Sequence, residues 1–207
     1  AGRSIREDVV QATPTGAGPG PASAGHLYVN PHARSLATLT TALATGEPVL
    51  AIAWVVNAHG RIRHWIGRYA GVHVDGRLVG TLDDRDVARD VGAVASLVSG
   101  ACLPQVIALD IGRRDWLGDH SGSLTLLVEP VLNRTLPAAL AFTARCHARA
   151  SHGVIATVYG VFGNARLRIG DRLLVDEHGN CEGTLAAHPL AAAFLQEARA
   201  VLNERRS

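Results

Sequence analysis

Residues 179–185 read GNCEGTL, and residues 76–82 read GRLVGTL. Both heptapeptides begin with glycine and end with Gly-Thr-Leu at equal spacing. Sliding the chain by 103 positions aligns 51–82 with 154–185 without a gap, and 12 of the 32 aligned residues are then identical. Unrelated segments would share only a few residues. The match therefore indicates a copied unit rather than a common turn that recurs by chance.

Glycines carry much of this repeat. Among the identities are the pairs Gly60/Gly163, Gly67/Gly170, Gly76/Gly179 and Gly80/Gly183. Glycine takes positive φ without steric cost, so glycines that keep their register indicate backbone turns that keep theirs. The period is too long for a solenoid array. We therefore predict one supersecondary unit used twice in a pseudo-symmetric domain.

Hydrophobic patterning predicts the elements of each unit. Residues 35–46 place Leu36, Leu39 and Leu43 at helical spacing before Gly46, a natural helix C-cap. The apolar run 48–56 indicates a buried strand, and Asp75–Gly76 is typical of a hairpin turn. The pattern further predicts helices over 86–100, 136–150 and 189–204, and strands over 69–74, 105–111, 123–131, 153–159, 172–176 and 181–185.

Strands that cluster in hairpins and mix with helices predict an α+β domain. We expect two copies of a strand-hairpin-helix unit to form a pseudo-symmetric mixed or antiparallel sheet with helices packed on it. The first copy is assigned to 31–135 and the second to 136–207. Residues 11–25 are rich in Pro, Gly, Ala and Ser, which cannot bury enough apolar surface to offset their ordering entropy. Residues 1–30 are therefore predicted to be a disordered N-terminal segment.

Composition argues against several classes of protein. A net charge of +2 is too near neutral to favour a nucleic-acid partner. The chain has no lysine, which excludes a Schiff-base lysine and a phosphate-loop lysine. No apolar run approaches membrane-spanning length, and the N-terminus lacks the apolar core of a signal peptide. Three isolated cysteines do not suggest a disulfide framework. We expect a cytoplasmic protein with no membrane partner.

The ordered set of motifs resembles the N-terminal domain of the XdhC/CoxI family, whose members are accessory factors for molybdenum hydroxylases such as xanthine dehydrogenase and carbon monoxide dehydrogenase. The matching segments are the strand Ala53–Val56, Gly60 and Gly67 around the next turn, the hairpin Asp75–Gly80, and the closing Gly122 and Glu129–Pro130–Val131. Residues 155–185 match the same pattern again, and the resemblance covers about 35–204. We expect a chain without the family's C-terminal Rossmann-like domain.

The sequence departs from the family at its motif cysteines. Counted from Gly80, the first cysteine position falls on Asp86, and counted back from Glu129 the second falls on His120. In the second copy, the residue that corresponds to Asp86 at the first cysteine position is Pro189. Soft thiolates suit molybdenum and sulfur, whereas a carboxylate is a hard oxygen ligand. The resemblance therefore implies ancestry more firmly than retained chemistry.

Two charged groups lie on the segments that correspond to the family's functional loops. The acids Asp83, Asp84, Asp86 and Asp90 are explained by helix capping and the helix dipole, or by a site for a hard metal or a cationic partner. The turn with Arg61, Arg63, His64 and Arg68 is explained as a solvated turn, or as a grip on phosphate or pterin oxygens. With the resemblance, the candidate cofactor-binding residues are Arg61, Arg63, His64, Asp84, Asp86 and His120.

Other chemistry has less support. Histidines 59, 64, 73 and 120 match no recognised zinc spacing. Ser121 lies in DHSGS, which lacks the GxSxG nucleophile elbow. Cys102, Cys146 and Cys181 are predicted to be small, inert core residues. We predict no catalytic residue, no metal site and no resident cofactor beyond a transient molybdenum cofactor.

The resemblance implies a protein that acts by contact rather than by turnover. It would assist molybdenum hydroxylase maturation, in cofactor sulfuration or insertion. The expected partners are a molybdenum hydroxylase or its maturation machinery, and a second copy of the chain in a homodimer. The alternative is a diverged interaction or regulatory module that has lost cofactor chemistry, which the missing cysteines favour. We predict that the partner binds a rim made of turn 59–68, loop 82–87 and segment 118–122, with Trp65 and the arginines as anchors.

Overall fold

The computed structural model describes residues 10–15, 31–82, 85–111, 114–115, 118–119, 122–133, 135–161 and 166–204. At 10–15, 31–34, 85–86, 114–115 and 118–119 it describes the backbone alone. The elements in chain order are β1 (Val10–Thr15), α1 (Pro31–Ala44), β2 (Val49–Gly60), β3 (Tyr69–His73), β4 (Leu78–Gly80), α2 (Arg85–Ala101), β5 (Gln105–Ile111), β6 (Arg114–Asp115), β7 (Gly118–Asp119), β8 (Gly122–Pro130), α3 (Ala138–Ala148), β9 (Gly153–Val158), β10 (Arg172–Asp176), β11 (Cys181–Glu182) and α4 (Ala191–Glu204). The helices and strands predicted over 35–204 are present, so the α+β class is confirmed.

The strands form two main sheets. The large sheet has the order β4-β3-β2-β8-β5 and the small sheet the order β1-β9-β10-β11, with β6 and β7 as a separate pair. Each strand pair described is antiparallel. The prediction had placed both repeats in one sheet, whereas the structure places the strands of 49–130, except β6 and β7, in one sheet and those of 153–182 in another. The reason is that a layer of apolar helix side chains lies between the sheets.

The core has three apolar clusters, which define the layers. The first joins α2 to one face of the large sheet, through Val87, Val91 and Val98. The second is central and joins α1 and α3 to the facing surfaces of both sheets, for example Leu39 and Leu140 against Ile52 and Ile155. The third joins α4 to the far face of the small sheet. No described helix has both the length and the apolarity needed to cross a membrane.

The repeated sequence has repeated hydrogen bonds. The Gly67 amide donates to the Val55 carbonyl over 2.9 Å, and at the offset of 103 the Gly170 amide donates to the Val158 carbonyl over 2.8 Å. Gly67 and Gly170 have φ of 84° and 91°, and Gly76 and Gly179 have φ of 80° and 84°. The Thr81 hydroxyl accepts from the Tyr69 amide, as the Thr184 hydroxyl does from the Arg172 amide. The two turns therefore match locally, and superposition of the complete copies stays a prediction.

β1 differs from the sequence prediction. It lies within the segment 1–30 that was predicted to be disordered, yet Val10–Thr15 pairs with the outer edge of β9 in continuous register. Backbone pairing along a sheet edge needs no apolar run, so composition could not reveal this strand. The other residues of 1–30 lie outside the described ranges, and the proposed repeat boundaries stay predictions.

Candidate functional site

The turn between β2 and β3 is the part of the predicted rim that the structure describes best. The chain leaves β2 at Gly60, whose φ is 76°, and a short 3-10 helix, Arg63–Trp65, follows. The Trp65 amide donates to the Ile62 carbonyl over 2.8 Å, and Gly67 returns the chain to β2. This geometry leaves Arg61, Arg63 and His64 exposed. The three predicted residues therefore share one exposed turn.

Trp65 does not extend this exposed surface. Its side chain is 9% exposed and belongs to the cluster between α2 and the large sheet. The Arg68 guanidinium lies 5.2 Å from the Trp65 ring centre, and partial burial lowers the pKa of Arg68. The prediction that Trp65 anchors a partner is wrong, because the 3-10 turn directs residue 65 into the core while Arg63 and His64 face solvent.

The remaining candidate residues are only partly described. Asp84 and His120 lie outside the described ranges, as do Asp83 and Ser121. Asp86 lies in the first turn of α2, where the backbone alone is described. Gly122 pairs with Gly60 across β8 and β2, so the residue that follows 118–121 is adjacent to the turn. A Cβ at Gly122 would collide with the His59 carbonyl oxygen, which explains glycine there.

A molybdenum cofactor would need an enclosed site with several converging donors. His64 Nδ1 lies 3.1 Å from the Arg61 carbonyl oxygen, within the turn itself. Arg61, Arg63 and His64 all face solvent. Within the described ranges, no cluster of three or more His, Cys, Asp or Glu side chains could hold a metal ion. The described residues of the rim therefore do not fit a resident cofactor by themselves.

Glu129, in the closing motif that resembles the family, has a structural contact. Its Oε2 lies 2.6 Å from Nη1 of Arg172, and both side chains are largely buried, at 15% and 11% exposure. The Arg172 guanidinium also lies 4.9 Å from the Trp54 ring centre, and its Nε donates to the Thr157 hydroxyl over 3.2 Å. Because β8 belongs to the large sheet and β10 to the small one, this contact joins the two sheets.

A groove that sequence reasoning missed lies between α3 and the β10–β11 hairpin. It has a volume of about 250 Å³ and is lined by Phe142, Arg145, Cys146, Arg149, Asp176, Cys181 and Glu182, among others. Arg145 lies over the Phe142 ring and forms an ion pair with Glu182 across the groove. The spacing of Phe142, Arg145, Cys146 and Arg149 on one helix face was the signal available in the sequence.

The burial of the three cysteines differs in part from the prediction. Cys146 is buried, as predicted, but Cys102 and Cys181 are exposed. Cys181 lies on β11, the two-residue edge strand of the small sheet. Cys102 follows α2 with φ of 54°. Both lie at the boundary of an element, so local hydrophobicity was a poor guide to their burial.

The fold and site thus define an α+β protein with two helix-covered antiparallel sheets. Residues 146–207 match the XdhC and CoxI family, a span that includes the whole of the small sheet except β1. The family resemblance predicted from the sequence is confirmed by this match.

Among solved structures, one described as a xanthine dehydrogenase from Bacillus halodurans is similar to this chain. The two share 19% identity with a TM-score of 0.52, over 76% of this chain and 47% of that one. At this identity the likeness is one of fold, and the present chain spans about half the length of that protein. No curated protein sequence matches the chain significantly.

Proposed function

We propose that this protein is an accessory factor that assists the maturation of a molybdenum hydroxylase by contact, without turnover of its own. The observation that carries the proposal is the match of residues 146–207 to the XdhC and CoxI family. The fold likeness to the Bacillus halodurans structure supports it over three quarters of the chain. The client would be a hydroxylase of the xanthine dehydrogenase or carbon monoxide dehydrogenase class, encountered in the cytoplasm.

The step assisted is cofactor insertion or sulfuration, with the molybdenum cofactor present transiently if at all. The described rim residues do not form an enclosed site, and the count from Gly80 predicts that Asp86 stands at a motif cysteine position of the family. These two observations favour a role in holding or presenting the client over storage of the cofactor. They also support the alternative, an interaction module that has lost cofactor chemistry altogether.

The two functions are separated by producing a molybdenum hydroxylase of the same organism with and without this chain. For a maturation factor, we expect loss of the chain to lower hydroxylase activity. A parallel loss of bound molybdenum would identify insertion, and unchanged molybdenum would identify sulfuration. Unchanged activity and unchanged molybdenum would overturn the proposal, and binding to the client without either effect would favour the interaction module.

The contact surface proposed for the client is the exposed turn with Arg61, Arg63 and His64. Arginine is a common anchor of interfaces, and its guanidinium pairs well with carboxylates. We expect Arg63→Glu to weaken client binding at least tenfold, or about 1.4 kcal/mol. Trp65 must stay unchanged in this test, because its burial makes it part of the core.

The chain offers a matched control for this test. Arg166 stands at the offset of 103 from Arg63 and is also exposed. Arg166→Glu makes the same charge change on the turn of the second copy. Client affinity measured by calorimetry should fall in Arg63→Glu and stay within twofold in Arg166→Glu. Equal affinities in both variants would place the contact elsewhere.

A further inference from the structure

Among the residues that the structure describes, the outer edge of β5 is an open strand edge. β5 ends the large sheet and pairs with β8 on one side, in a register without a bulge over all seven residues. Its sequence, QVIALDI, contains no proline, lysine or arginine, and Asp110 is its single charge. Natural edge strands usually carry bulges, prolines or lysines that prevent pairing with another chain. Within the described ranges, nothing pairs with this edge.

Several apolar side chains on β5, on α2 and on the segment between them are incompletely buried. Ile107 and Leu109 of β5 are only partly buried against the α2 cluster. Leu97 on α2 is 72% exposed, and Leu103 just before β5 is 62% exposed. Exposed leucines are ordinary singly, but several incompletely buried apolar side chains on the elements that flank an open strand edge favour an interaction surface.

The side of α2 that carries Leu97 is turned towards β5. A Cβ built on Gly92 would lie 3.5 Å from the Gly76 Cα, so the Gly92 side of the helix faces the β3–β4 hairpin. Leu97 follows five residues later, which places it roughly 140° around the helix from Gly92. The β3–β4 hairpin and β5 lie at opposite edges of the sheet. Leu97 therefore belongs to the same open side as the β5 edge.

We propose that this edge is a homodimer interface, in which β5 pairs antiparallel with β5 of a second copy about a two-fold axis at Ala108. This inference goes beyond the proposed function, because it concerns assembly of the chain with itself and needs no client. Unpaired backbone donors and acceptors along an open edge are a template for another strand, and a two-fold pair places the same patch on both sides.

On the α2 side, the sequence of β5 is self-complementary about this axis. Pairing Ala108 with its symmetry mate sets Ile107 opposite Leu109, on the apolar side, and Val106 opposite Asp110. Apolar cross-strand pairs of this kind stabilise a sheet. The two Asp110 carboxylates would be four residues apart along the strands, about 14 Å, which exceeds the screening length at physiological salt. The same axis turns the Leu97 sides of both α2 helices towards each other.

The test is the solution mass of the full chain and of two variants at Ala108. Ala108 is exposed, so a charged side chain there leaves the monomer folded. We expect the unmodified chain to sediment as a dimer of twice 21.7 kDa at micromolar concentration. Ala108→Lys and Ala108→Glu each place two like charges at the axis and should weaken dimerisation at least tenfold. An equimolar mixture of the two variants should form dimers again, because opposite charges then meet.

The control is Ser96→Lys, which adds the same charge at an exposed position of α2 one turn from Gly92, on the side that faces the β3–β4 hairpin, and should leave the dimer intact. Circular dichroism of each variant verifies the fold. A monomeric unmodified chain, or dimers of Ala108→Lys as tight as those of the unmodified chain, would overturn the proposal. Failure of the mixed variants to dimerise would overturn it as well, since it would remove Ala108 from the axis. If the unmodified chain is monomeric and Ala108→Lys no longer binds the hydroxylase, the β5 edge is a contact surface for the client and the homodimer is refuted.

Discussion

Gly80 and Gly183 stand at equivalent places in the two hairpins, and close backbone approach explains both. A Cβ on Gly80 would collide with the Tyr69 carbonyl oxygen, and one on Gly183 with the Arg172 carbonyl oxygen. Tyr69 and Arg172 are themselves related by the offset of 103. Gly183 also has φ of 108°, which Gly80 does not share. The contact between strands, rather than the φ angle, is thus the common requirement.

Replacing Gly183 by alanine should therefore be costly. Backbone collision and a left-handed φ together predict that Gly183→Ala lowers the free energy of unfolding by about 1–3 kcal/mol. Gly100→Ala is the control, because this α2 glycine has open space around it and alanine favours helix by up to about 1 kcal/mol. Urea unfolding measures the free energy of unfolding of both variants. Equal stabilities of Gly183→Ala and the unmodified chain would contradict the close approach.

At the level of single residues, backbone turns could be predicted from the sequence, whereas side-chain direction and long-range partners could not. The glycine register correctly indicated the turns, because a positive φ is a local property of glycine. The inward direction of Trp65 was not predictable, since a single 3-10 turn has no periodicity that separates its faces. Glu129 was recognised as part of a motif, but its partner Arg172 lies on another sheet and only the tertiary structure brings them together.

The two hairpins use an aspartate and a histidine in exchanged positions. In the β3–β4 turn, Asp75 accepts from the Arg77 amide over 2.9 Å and lies 3.0 Å from His73. In the β10–β11 turn, Asp176 stands at the position of His73, and His178 at that of Asp75. Asp176 accepts from the amides of His178 and Asn180 over 2.9 and 2.8 Å. Each turn therefore ties its amides to a carboxylate, although the carboxylate sits on different residues.

These hydrogen bonds give the second hairpin a dependence on pH. Burial alone would raise the pKa of Asp176, but hydrogen bonds from Asn180 and His178 outweigh it and lower that pKa below its ordinary value. A lowered folded-state pKa stabilises the protein above the unfolded pKa of about 3.9, and the stabilisation is lost as the pH falls through the folded pKa. We expect Asp176→Asn to reduce the loss of stability between pH 5 and pH 2, measured as urea midpoints. A loss as steep as that of the unmodified chain would contradict this account.

At the scale of elements, the sequence predicted helices and long strands well and edges poorly. Continuous apolar runs such as 48–56 gave β2, and leucines at helical spacing gave α1, because burial on a face imposes a period. The sequence did not predict β1, because this strand pairs at a sheet edge and contains no apolar run. β11 is two residues long where five were expected, since only Cys181 and Glu182 find partners on β10.

The molecule as a whole is held by its central layer. α1 and α3 bury apolar side chains between the two sheets, so each sheet has helices on both faces. This arrangement explains why the strands of the two predicted copies lie in separate sheets, which the sequence repeat alone could not indicate. An ungapped sequence repeat indicates that two segments fold alike. It contains no information on which surfaces of the two segments contact each other.

The contact of Arg172 with Glu129 joins the two sheets through charge, beside the apolar layer. Both groups are largely desolvated, so removing one leaves the other buried without its partner. Breaking a buried pair in this way typically costs about 3–5 kcal/mol. We expect Glu129→Gln and Arg172→Met each to lower the free energy of unfolding by an amount near the lower end of that range, since neither group is fully buried.

The double variant distinguishes a specific pair from two independent losses. Because one interaction is removed in either single variant, Glu129→Gln with Arg172→Met should cost less than the sum of the two, with a coupling free energy above about 1 kcal/mol in a double-mutant cycle. The exposed pair Arg89–Asp90 is the control, at 75% and 46% exposure, and its coupling should lie between about 0 and 1 kcal/mol because solvent screens it. Urea unfolding followed by tryptophan fluorescence suits the cycle, since Trp54 lies against the Arg172 guanidinium. Strictly additive losses would mean that Arg172 stabilises the sheets through Trp54 and Thr157 and that its charge pairing with Glu129 contributes nothing.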